Sequence, residues 1–146
     1  MSTAIMHRLA SSVITDIKTP SAFFSFLCRT FTWVDLVRES ETLTAVQSRD
    51  VNNILISLME EVAKPWLTSN KKPTDVVASG LLIVLENTDP ADFLLTSRIL
   101  VDGMGKELAR GSWSEEAVDS WTAGIRALLN ISHAFSDPKL LSNVTA

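Results

Sequence analysis

The chain has 146 residues, 46% hydrophobic and 21% charged, which is a globular rather than a disordered composition. One Cys rules out an internal disulfide, and that Cys with two His falls short of the four ligands of the common zinc sites. Eight bases and seven acids over residues 1–73, then five bases and ten acids over 74–146, leave no basic cluster beyond Lys71-Lys72, so no sequence-independent binding to nucleic acid is expected.

Apolar residues recur at helical spacing almost throughout. Ile5, Leu9, Val13 and Ile17 predict a first helix over about 3–18. The same stretch lacks the continuous apolar core of a signal peptide, so the chain is expected to be cytoplasmic. The sequons at Asn130 and Asn143 are then chance matches. Thr19-Pro20 pairs an N-cap with proline in the first helical position, opening a segment that carries Phe23, Phe24, Phe26, Leu27 and Phe31. The clearest pattern is Val51, Ile54, Leu55, Leu58, Met59 and Val62, which fits one helix face. Pro65 is expected to stop that helix or kink its last turn; Trp66 beside it could be partly exposed, but all four tryptophans read as packed in the core or at its edge.

After a polar break at 68–73, Thr74 or Asp75 begins a short helix. It is apolar almost all round over 76–85, so it is expected to be deeply buried. That run is about half a transmembrane span, and no membrane insertion is expected. Asp89-Pro90 repeats the cap-plus-proline start, and the next helix sets Phe93, Leu94, Leu100, Val101, Met104 and Leu108 toward one side. Gly103 and Gly105 read as sites of close helix crossing, and Gly111 as a C-cap glycine. Ser112-Trp-Ser-Glu115 reads as a capping box for a last helix with Trp121, Ile125, Leu128, Leu129 and Phe135, closed by Asp137-Pro138 and a loose tail. No segment alternates with period two. The chain reads as one all-α domain, 1–146, of six to seven helices.

Asp-Pro-Ala-Asp-Phe93, the helix through Leu108, Gly-Ser-Trp113-Ser-Glu-Glu-Ala117 and the helix carrying Trp121 resemble the closing G and H helices of a globin. Phe23-Phe24-Ser-Phe26-Leu27 resembles the globin B helix, Ser48 through Val62 its E helix, and 74–87 falls where helix F belongs. The resemblance implies a globin-like bundle. It also implies a proximal histidine near Ile83 and a distal one near Asn52 or Asn53, and this chain has neither. No haem or other cofactor is therefore expected.

The remaining reactive side chains read as structural. His7 and His133 stand near helix ends, where a protonatable ring at a C-terminus favours the dipole. His133 is expected at the boundary of the core. Cys28, among phenylalanines, reads as a small buried hydrophobe rather than a redox thiol activated by Arg29. Met59 and Met104 fall on apolar stripes, and Glu60-Glu61 and Glu115-Glu116 are adjacent carboxylates that diverge on a helix. Trp33 and Trp121 fit core positions.

The expected function is a non-catalytic, haem-free, globin-like binding or regulatory module. It would act through an apolar pocket or a surface protein interaction, with a protein partner, a homo-oligomer or an apolar small molecule. The candidate pocket comprises Phe24, Leu27, Leu55, Met59, Leu82, Ile83, Phe93, Val101, Met104 and Ile125. The alternatives are a haem protein with unusual axial ligation and a Bcl-2-like helical interaction protein, to which Gly111-Ser-Trp113 bears a loose likeness.

Overall fold

In the computed structural model, which describes residues 3–39, 43–111 and 113–136, all the regular structure is helical. Helix α1 spans Thr3–Ile17 and α2 spans Pro20–Glu39. Helix α3 is a continuous run of three parts: Ala45–Leu58, a π-helical turn over Met59–Ala63, and Lys64–Thr68. Helix α4 covers Pro73–Asn87, α5 Pro90–Ala109 and α6 Glu115–Ser136. Six helices thus form among the described residues. None of them is long and apolar enough to cross a membrane.

Local chemistry sets most of the starts. The Thr19 hydroxyl accepts the Ala22 N–H at 3.1 Å, and the Asp89 carboxylate accepts the Ala91 N–H at 2.8 Å, each ahead of a proline. Thr44 and Gln47 form a reciprocal capping box on α3 that the sequence reading did not single out. Two expected starts move. Helix α4 begins at Pro73 behind Lys72, which makes no side-chain cap, rather than at Thr74 or Asp75. Helix α6 is capped by Ser114, whose hydroxyl accepts the Ala117 N–H at 3.2 Å, so Glu115 is the first helical residue and not the third. Ser112, Asp137, Pro138 and the tail lie outside the described residues, as does the side chain of Phe135.

Two left-handed residues end helices. Gly111 (φ 72°) follows α5, and its N–H reaches the Leu108 carbonyl at 3.0 Å, as a C-cap glycine should. Lys18 (φ 76°) does the same after α1, with its N–H on the Ile14 carbonyl at 2.7 Å. A side chain in that conformation costs about 1–2 kcal/mol. Lys18→Gly is accordingly expected to raise stability by up to about 1 kcal/mol in urea unfolding.

Helix α1 packs on α4 and α6, α5 on α6, and α2 on both α3 and α6. Helix α4 buries Val76, Val77, Ala78, Leu81, Val84 and Leu85, yet Ile83 is 40% exposed, so the helix is not buried all round. Leu129 on α6 also faces out. Three glycines mark close approaches. A Cβ at Gly103 would meet the Trp33 ring at 2.1 Å, and one at Gly124 would meet Phe26 at 2.0 Å. Gly105 meets nothing within 4 Å, so the close crossing belongs to Gly103 alone of that pair.

The third close approach explains the tryptophans. Pro65 has no N–H for the Glu61 carbonyl, and its ring would crowd that carbonyl at α-helical pitch. Helix α3 widens instead, the Lys64 N–H bonding the Met59 carbonyl, and then continues to Thr68. Gly80 of α4 seats against the displaced region, where a Cβ would lie 2.0 Å from the Glu61 oxygen. Pro65 therefore does not stop the helix, whose late turns widen instead, and Trp66 packs in the core. Trp66 is 7% exposed and stacks edge-to-face on Phe23 at 6.4 Å. Trp33 is buried as expected, whereas Trp121 is only half-buried.

Candidate functional site

The outward stripe of α2 carries Ser25, Cys28, Arg29, Thr32 and Leu36, at i, i+3, i+4, i+7 and i+11, while Phe26, Leu27, Thr30, Trp33 and Val34 face the core. Cys28 is thus an exposed thiol, correcting the buried reading. It lies one helical step from the buried Leu27, which a ±3 or ±4 spacing rule alone does not resolve. Leu36 is 59% exposed. Beside this stripe stand Glu107 near the end of α5 and Trp113 ahead of α6. Together they bound a cleft of about 450 Å³.

That cleft runs on in both directions. Through Ser25 and Arg29 it joins a cleft of about 490 Å³ between the end of α1, α2 and the start of α6. Through Trp33, Leu36 and Glu107 it joins one of about 550 Å³ under α5. The three clefts, which share these lining residues, are together called the α2 furrow. The Arg29 guanidinium lies 5.3 Å over the Trp113 ring, a cation–π contact, and Trp113 stacks edge-to-face on Trp121 at 6.5 Å. On the α5 side, Glu107 pairs with Arg110 at 3.1 Å and Asp102 with Lys106 at 3.3 Å. An aromatic, a projecting aliphatic and charges of both signs are groups for recognition. Trp and Arg are the residue types enriched at binding hot spots.

The ten candidate pocket residues divide into three sets. Leu27, Leu55, Phe93, Met104 and Ile125 come together in one packed cluster at 0–6% exposure. Phe24, Met59, Leu82 and Val101 are half-buried at its edge. Ile83 is separate, lining a surface cleft of about 490 Å³ with Gly80 and Pro65. Met104 sulfur accepts the Thr30 hydroxyl at 3.9 Å within the core.

Residues 74–87 contain no His, Cys, Met or Tyr, and Ile83 faces away from the core. Asn53 is exposed and Asn52 half-buried. His7 bridges α1 to α4 through Asp75, Nε2 to Oδ1 at 2.6 Å. His133 is exposed in the last turn of α6 rather than at the core boundary. Glu60 pairs with Lys64 at 2.6 Å, and Glu115 and Glu116 are exposed in the first turn of α6. Among the described residues, no group of three or more His, Cys, Asp and Glu is placed to hold a metal ion. No family model, curated protein or solved structure matches the chain.

Proposed function

We propose that this chain is a non-catalytic, globin-like binding or regulatory module of the cytoplasm, without haem, that works through the α2 furrow rather than through an interior pocket. The observation that carries this reading is the division of the apolar residues. The central pocket candidates are spent on one another in the packed core. Leu36, Trp113 and the Arg29 stack are presented together on the surface. Interiors close-pack, so bulky side chains occupying the centre leave little room for a large guest.

Hemin and fatty-acid titrations of purified protein test the reading. The expected result is a colourless protein, no sharp Soret band, no stoichiometric saturation with hemin, and no rise in melting temperature with a fatty acid. A ligand present at about 100 times its Kd would stabilise by about 2.7 kcal/mol, which thermal unfolding detects readily. A six-coordinate haem spectrum lost on Met59→Ala or His133→Ala would promote the haem alternative. One-site fatty-acid binding would restore the interior pocket.

A further inference from the structure

We draw no further inference here: the strongest candidate, the cleft under α5 beside the buried Trp33 indole, whose N–H has no hydrogen-bond partner among the described residues, belongs to the furrow already described, and nothing in the structure shows what covers it.

Discussion

Trp66→Ala is expected to cost about 3–5 kcal/mol, and Trp121→Ala only about 1–2 kcal/mol, in urea unfolding with unchanged m-values. The difference follows from placement. Trp66 is 7% exposed and edge-stacked on Phe23, within the core cluster, so its removal leaves a cavity that helices on several sides must span. Trp121 is half-buried and leans on Trp113, near the furrow, where solvent can enter the space left behind. Equal losses at the two sites, or the reverse order, would mean that α3 does not continue past Pro65 as described.

Gly80→Ala should destabilise by about 1–3 kcal/mol or more, while Gly105→Ala should stabilise by about 0.5–1 kcal/mol. Both positions are inside helices, so helix propensity alone favours alanine at each. At Gly80 the added methyl would meet backbone, 2.0 Å from the Glu61 oxygen and 2.8 Å from its carbon. A carbonyl in a helix cannot rotate away as a side chain does, so α3 and α4 must separate. At Gly105 the methyl meets nothing within 4 Å. Thermal unfolding of the two variants should shift in opposite directions. A gain at Gly80 would show that the close crossing of α4 on the π turn is absent.

How much of this was legible in the sequence depends on the range of the interaction involved. Thr19-Pro20, Asp89-Pro90 and Gly111 were readable because a cap acts on backbone groups two or three residues away, and proline or glycine sets its own φ. Ser114 was missed in favour of Ser112 because both can accept a nearby N–H, and only the position of the first helical residue separates them. Lys18 carried no signal. A left-handed turn at an exposed lysine runs against that residue's own preference, so nothing in its identity announces it.

The candidate site was less legible. Phe23, Phe26 and Leu27 define a buried face of α2, but the opposite stripe from Ser25 to Leu36 reads only as the remainder of the helix. It becomes a furrow because Trp113 and Glu107, some 80 residues away in sequence, are brought alongside it.

By itself the sequence determined that the chain is helical, where α1, α2 and α5 begin, and which face of most helices is apolar. Those properties arise from 3.6-residue periodicity and from contacts within one turn. Tertiary structure alone decided that Ile83, Leu129 and Cys28 face outward, and that Trp66 is buried more deeply than Trp121. It also decided that the helix bearing Pro65 widens rather than stops. An apolar face can be recognised from its own residues. Whether it is covered depends on the helix that packs against it, and at Gly80 that helix packs closely because a hydrogen atom stands where any other residue would place a carbon.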